Sequence, residues 1–192
     1  SSRGCPFSCS YCLSSIDKCL RFRKIELVKK ELQFFIDHEV PQVKFVDRTF
    51  NCNHAYAYRI WKYIGEHDNG VTNFHFEIGG DLLHEEDYLL FDTFRPGLVQ
   101  FEIGVQSTNP DTLKAIRRTA DWDLLQKLPS TEKQVLLAGG LNPDNVGEAL
   151  TACAGKIDGV DTSSGVERTD GNGKSKERIE AFVRTVRGSS EK

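Results

Sequence analysis

Methionine is absent from this chain of 192 residues, and neither sign of charge is in excess, with 25 Lys and Arg against 28 Asp and Glu for a net charge of -3. A balance of that kind, with no basic cluster, argues against electrostatically driven binding to nucleic acid. Long hydrophobic runs are missing too. No stretch approaches the roughly 18 apolar residues that a membrane helix needs, and no charged-then-apolar leader opens the chain, so neither a membrane nor a secretory setting is expected. Evenly spread cysteines are also lacking. Three of the six, Cys5, Cys9 and Cys12, crowd together at the start, whereas a secreted disulfide scaffold spaces them out. That pattern points to a reducing, cytoplasmic compartment and to a cofactor, with Cys19, Cys52 and Cys153 reading as ordinary semi-buried thiols. Without methionine, and starting at Ser1, the chain reads as a processed, excised or assembled piece.

The length suffices for a sizeable core, and the periodicity alternates between helix and strand. Apolar residues recur at helical spacing over Lys24 to His38, then Gln42 to Asp47 alternates as a strand. The next units read as a helix over Ala55 to Gly65, a strand over Thr72 to Ile78, a helix around Glu85 to Phe94 and a strand over Leu98 to Val105. A helix capped by Asn109 then runs to about Arg118. Beyond it come a strand over Gln134 to Ala138, a helix from Asn142 to about Cys153, a short strand over Gly159 to Thr162 and a last helix over Lys176 to Val186. Strands alternating with helices through short connections imply parallel strands. The expected fold class is α/β, a partial or open (β/α) barrel of about five parallel strands, TIM-barrel-like. Residues 119 to 133 change texture, so we expect one unit over 1-125, a seam over 126-133 and a second unit over 134-192. Ligand chemistry in such folds gathers at the carboxyl ends of strands, where Asp47, Gly79, Gln106, Gly139 and Ser163 fall.

Cys5, Cys9 and Cys12 stand at C-x3-C-x2-C spacing on a loop with Pro6, Phe7 and Tyr11. Three thiolates can hold three corners of a 4Fe-4S cube, leaving one iron open to the amino and carboxylate groups of a ligand. A zinc site completed by Cys19 and a loop of unliganded thiols are the alternatives. With this spacing and an aromatic before the last cysteine, the chain resembles the radical S-adenosylmethionine superfamily over roughly residues 1 to 125. The blocks VKFVDRTFN, FHFEIGGDLL and QFEIGVQSTNPDTLKAI look like its cobalamin-associated branch. The resemblance implies that Cys5, Cys9 and Cys12 bind the cluster, that S-adenosylmethionine is the cofactor on the open iron, and that Tyr11 flanks the adenine. By position, Asp47, Glu77, Glu102 and Gln106 are candidates for contacts to cofactor or substrate; capping of strand-end loops is the alternative for each. The strand that would precede the cysteine loop is not expected here, nor the last strands of the barrel. No Asp-x-His-x-x-Gly cobalamin motif occurs.

Near the other end, LLAGGLNPDNV and GVDTSSGVE place Gly-rich and Ser-rich loops after consecutive strands. Glycines let backbone approach an anion, and N–H groups at a loop or helix start point toward it. Two such loops on the last two strands of a (β/α) barrel suit a phosphate. Residues 130 to 188 resemble the C-terminal quarter of phosphoribosylanthranilate isomerase. The resemblance implies a phosphate held by Gly139, Gly140, Asp161, Ser163, Ser164 and Gly165. It also implies a general-base Cys and a general-acid Asp, for which no counterpart is found, so no catalytic residue is assigned.

Two signatures meeting near residues 119 to 133 read as a chimeric chain. The expected function is an iron-sulfur, S-adenosylmethionine-binding radical enzyme fragment with a phosphate-binding unit behind it. An isomerase-like barrel fragment of tryptophan biosynthesis and a catalytically silent chimera are the alternatives. The expected partner is a small-molecule substrate, phosphorylated where the second unit takes part. A homo-oligomer covering the open sheet edges is expected as well.

Overall fold

Parallel strands flanked by helices build most of the chain, whose computed structural model describes residues 1–10, 12–104, 110–115, 117, 135–153 and 156–189. The elements in order are β1 (Ser2–Arg3), β2 (Arg21–Phe22), α1 (Ile25–Asp37), β3 (Gln42–Lys44), α2 (His54–Glu66), β4 (Asn73–Ile78) and α3 (Glu85–Phe91). They continue with β5 (Val99–Ile103), α4 (Pro110–Ala115), β6 (Leu136–Ala138), α5 (Val146–Ala152), β7 (Gly159–Asp161) and α6 (Lys176–Ser189). Strands β3, β4 and β5 form one parallel sheet in that order, and β6 and β7 form a parallel pair. A single parallel bridge between Gly104 and Ala138 connects β5 to β6. The result is a partial α/β barrel of five parallel strands, as the alternation of periods predicts.

Side-chain period decides which face is covered. In β4, Phe74, Phe76 and Ile78 are buried while Asn73, His75 and Glu77 on the other face are only partly so. Helix α1 presents Ile25, Val28, Leu32 and Ile36, a stripe at helical spacing, to the same core. Around Phe76 the aromatic rings of Phe45, Phe50, Trp61 and Phe101 pack with centroids between 4.5 and 6.2 Å apart, within the range where aromatic pairs attract beyond their buried area. A separate apolar cluster unites Leu137, Leu141, Val146, Ala149, Cys153, Val166 and Phe182 behind β6 and β7.

Three stretches differ from their expected form. The strand expected to reach Asp47 ends at Lys44, although Phe45 N still donates to His75 O at 2.8 Å. Beyond that bond the chain turns to the first two residues, as described below. The helix expected from Asn142 begins at Val146. Asn142 Oδ1 accepts from the N–H groups of Asp144 and Asn145 at 2.8 and 3.2 Å, a local turn that competes with helix for those donors. Finally, β1 pairs antiparallel with β2, Ser2 opposite Phe22 and Arg3 opposite Arg21, a short ladder where no strand was expected. The expected cap Asn109, the end of its helix at Arg118 and the seam over 126-133 lie outside the described residues. No helix of the described residues is long and apolar enough to cross a membrane.

Candidate cofactor site

The β1–β2 ladder closes the base of the cysteine loop. Just above it, Cys5 N donates to Asp17 O at 2.9 Å. Gly4 occupies φ +86, and a Cβ there would meet Cys19 O at 2.4 Å, so this close crossing of two backbones requires glycine. Farther along, Cys12 N donates to Cys9 O at 3.3 Å, turning the loop back on itself before a short 3-10 turn over Leu13–Ser15. Cys5 and Cys9 are buried, Cys12 is half-buried, and no disulfide joins any of the six cysteines. Cys19, the fourth ligand that a zinc site would need, is exposed and partners Arg21. Tyr11 lies outside the described residues.

Asp47 serves the same loop from beneath. Its carboxylate is buried and accepts from the Ser1 ammonium at 2.8 Å, from Ser1 Oγ at 2.8 Å and from Ser2 N at 2.6 Å. Burial alone would raise its pKa. The hydrogen bonds from the ammonium, Ser2 and Ser1 outweigh that and hold the carboxyl below its ordinary range. Both oxygens are therefore committed to the chain itself, and Asp47 does not line the cavity described next. Beside it, burial pushes the Cys52 thiol up, and the neighbouring Cys5 and Asp47 add to the effect. Cys5 Sγ lies 3.9 Å from Thr49 Oγ1.

A cavity of about 190 Å³ opens between the cysteine loop and the strand ends. Phe7 and Cys9 form its wall on the loop side, Arg48 and Thr49 follow β3, and Glu77, Ile78, Gly79 and Glu102 close it at the ends of β4 and β5. Glu77 and Glu102 stand opposite each other in the β4–β5 register. Lys44 Nζ lies 3.4 Å from Glu77 and 3.3 Å from Glu102, and His75 Nε2 is 3.3 Å from the same Glu102 oxygen. Partial desolvation works against the Lys44 charge, but its bonds to Glu102 and Glu77 prevail and raise its pKa. The structure thus unites Cys9, Glu77 and Glu102 about one cavity, leaves Asp47 out of it, and has Gln106 outside the described residues.

Three contributors escaped the reading of the sequence. Lys44 and His75 lie on the polar face of strands whose alternate residues are buried, so a period-two reading of charge, not only of hydrophobicity, would have found them. Asn51 carries no such signal. It is buried, and its Nδ2 donates to Gly79 O while its Oδ1 accepts from Gly79 N, both at 2.8 Å.

At the far end of the sheet, the loops after β6 and β7 lock together. Thr162 Oγ1 donates to Leu141 O at 2.5 Å, and Arg178 donates through Nε and Nη2 to Gly165 O at 3.2 and 3.0 Å. Gly139 and Gly140 have φ of 99 and 68, which glycine adopts at no steric cost. Lys174 Nζ donates to Ser163 O at 2.9 Å, approaches Ser163 Oγ at 3.2 Å and pairs with Glu167 at 3.0 Å. A cation thus stands beside the serine loop. None of Gly139, Gly140, Asp161, Ser163, Ser164 and Gly165 lines the cavity at the cysteine loop, so the chain carries two separate candidate sites.

Comparison with known proteins follows the same division. Residues 118–185 match the profile of N-(5'phosphoribosyl)anthranilate (PRA) isomerase. The chain is 47% identical over 72 residues to N-(5'-phosphoribosyl)anthranilate isomerase of Azorhizobium caulinodans, covering 38% of this chain and 30% of the relative. It is 49% identical over 63 residues to the chloroplastic isomerase 1 of Arabidopsis thaliana, covering 32% of this chain and 22% of the relative. The chain therefore spans less than a third of the length of either relative. Among solved structures, the radical S-adenosylmethionine methyltransferase TsrM from Kitasatospora setae, determined with cobalamin and a [4Fe-4S] cluster bound, superposes with a TM-score of 0.65 at 16% identity. The superposition covers 87% of this chain and 35% of that one, which shows a shared fold. Residues 1–128, two thirds of the chain, match the radical SAM superfamily profile, and the chain belongs to that superfamily, with an isomerase-like segment at its C-terminal end.

Proposed function

We propose that the first part of the chain is a radical S-adenosylmethionine enzyme unit, in which Cys5, Cys9 and Cys12 hold a 4Fe-4S cluster beside the cavity. The observation that carries this reading is that Cys9, a buried cysteine of the C-x3-C-x2-C loop, shares the wall of a strand-end cavity with Glu77 and Glu102. Three soft sulfur donors on one tightly crossed loop suit iron and sulfide. When bound, the cluster supplies the electron that cleaves the sulfonium of S-adenosylmethionine. The protein's own groups bind and orient: Glu77 and Glu102 offer carboxylates to the cofactor's cationic amino group or to a small-molecule substrate, and Lys44 pairs with both and holds them in place. Asp47 anchors the start of the cysteine loop and leaves the ligand contacts to the other carboxylates. Tyr11 and Gln106 complete the proposed cofactor contacts. Crowded cysteines and the proposed iron-sulfur chemistry favour a reducing compartment such as the cytoplasm.

Anaerobic reconstitution with iron and sulfide tests the reading. A broad absorption near roughly 400 nm is expected from sulfide-to-iron charge transfer, together with reductive cleavage of S-adenosylmethionine. Both vanish in Cys9→Ala. A wild-type chain that takes up no iron under these conditions would refute it.

The C-terminal unit supports a second, compatible reading as a phosphate-binding segment, with the seam between the units over 126-133. Lys174 at Ser163 and the left-handed Gly139 and Gly140 favour it. Inorganic phosphate should raise the melting temperature, and Gly139→Asp should abolish the rise. Isomerase chemistry forms no part of the proposal, because the acid and base it needs have no counterpart in the sequence. A chain showing neither cluster nor phosphate response would be a silent chimera.

A further inference from the structure

A group of potential metal ligands lies away from both sites. His54 begins α2, His84 precedes α3, and Glu86 sits in the first turn of α3. One donor atom from each of these three side chains falls within 4.8 Å of the others, and among the described residues no other group of His, Cys, Asp and Glu is gathered so closely. The two imidazole rings face each other with centroids 3.8 Å apart and planes 17° from parallel.

Behind them stands Asp87, which is 0% exposed. Its oxygens are both 3.0 Å from His54 Nε2, and Oδ2 also accepts from His84 N at 2.9 Å. A carboxylate in that position takes the proton on Nε2, which leaves the lone pair of His54 on Nδ1. This is the arrangement by which a buried carboxylate fixes the tautomer of a metal-binding histidine. His84 and Glu86 are exposed, so their side chains are able to turn, and His84 has to leave the stacked arrangement for its in-plane lone pair to converge with that of His54 on one ion.

We propose that His54, His84 and Glu86 bind a divalent transition-metal ion, with Asp87 as the positioning residue behind His54. Two imidazoles and one carboxylate suit zinc, cobalt or nickel and not the hard, oxygen-seeking magnesium or calcium. Three protein ligands leave an open position for water or a substrate group. The site is independent of the proposed cluster, and its donors are nitrogen and oxygen where the cysteine loop offers sulfur.

Cobalt(II) added anaerobically to the full chain separates the two. Cobalt on thiolates carries intense sulfur-to-metal charge transfer, whereas cobalt on imidazole and carboxylate shows only weak d–d bands. We expect the wild type to bind about one equivalent with the weak-band spectrum, whatever the cysteine loop takes up. His84→Ala, a change at an exposed residue, should remove that equivalent and leave any thiolate band unaltered. Asp87→Asn should weaken it by roughly 10- to 100-fold. Equal cobalt stoichiometry in wild type and His84→Ala, or a wild type whose bound cobalt is all thiolate-ligated, would overturn the proposal.

Discussion

Asn51 holds the Gly79 peptide by both of its polar groups, donating to the carbonyl and accepting from the N–H at 2.8 Å each. The side chain is 1% exposed, so water cannot replace it. Gly79 forms part of the cavity wall directly after β4, and the clamp fixes the direction in which the chain leaves the sheet. Asn51→Leu should cost about 3 kcal/mol, since two buried groups lose their partners at about 1–3 kcal/mol each. Denaturant unfolding measures it, and a loss below about 1 kcal/mol would mean that the two groups find other partners.

Asp47 gives the fold a pH dependence of known sign. Its pKa in the folded chain lies below the ordinary 3.8, so the native state favours the carboxylate. The stabilisation is fully present above about 3.8 and drains away as the pH falls through the lower folded value. Asp47→Asn should lose about 2 kcal/mol near neutrality, as expected for hydrogen bonds to a charged group. The gap between wild type and variant should close below pH 3.8. A gap that stays constant into strong acid would show that the carboxylate's charge is not what Ser1 and Ser2 recognise.

The order of strands and helices was legible because each element has its own period: Ile25, Val28, Leu32 and Ile36 repeat as a helix, and Phe74, Phe76 and Ile78 as a strand. The cysteine trio was legible because its spacing is local. What could not be read were contacts across long sequence separations. Nothing near Asp47 announces that Ser1 and Ser2 will occupy its oxygens, 45 or more positions away. Asn51 similarly looks like any loop amide until the fold brings Gly79 to it. Lys44 and His75 were overlooked because hydrophobic period alone assigns strands, while a polar lumen is written in the residues between.

Glu102 should separate cofactor contact from cluster assembly. It lines the cavity but lies on β5, with Lys44 and His75 as its partners. Glu102→Gln keeps the shape and removes the charge. Reconstituted cluster absorption should be unchanged while the KM for S-adenosylmethionine rises about tenfold, the equivalent of one charge-assisted hydrogen bond. Loss of the absorption itself would place Glu102 in the support of the loop and remove it from the ligand contacts.

Among the described residues, strand β3 ends the sheet on one side, and just past it Val46 is 80% exposed. An edge strand with an exposed apolar residue beside it invites pairing with another chain. A second copy covering this edge should appear as a dimer at high concentration, and Val46→Lys should return the mass to that of a monomer. A mass by light scattering that stays monomeric for the wild type at every concentration would dismiss the dimer.

Gly165 makes the most demanding close approach in the C-terminal unit. A Cβ there would lie 1.8 Å from Leu141 O and 2.8 Å from Thr162 Oγ1. The obstacle is backbone, held in place by the hydrogen bond from Thr162 Oγ1, while Gly165 O is tied to Arg178. Relief therefore requires the loops after β6 and β7 to separate. Gly165→Ala should destabilise this unit by about 3 kcal/mol, at the upper end of ordinary overpacking. Hydrogen exchange should show the loss in α5 and α6, whose residues share a core with Leu141 and Val166, while the cysteine loop keeps its protection. Gly188→Ala provides the control, since that glycine lies in α6 with open space around its Cβ position and the change should stabilise by up to about 1 kcal/mol. If Gly165→Ala leaves exchange in α5 and α6 unchanged, the two loops are not packed as closely as their hydrogen bonds imply.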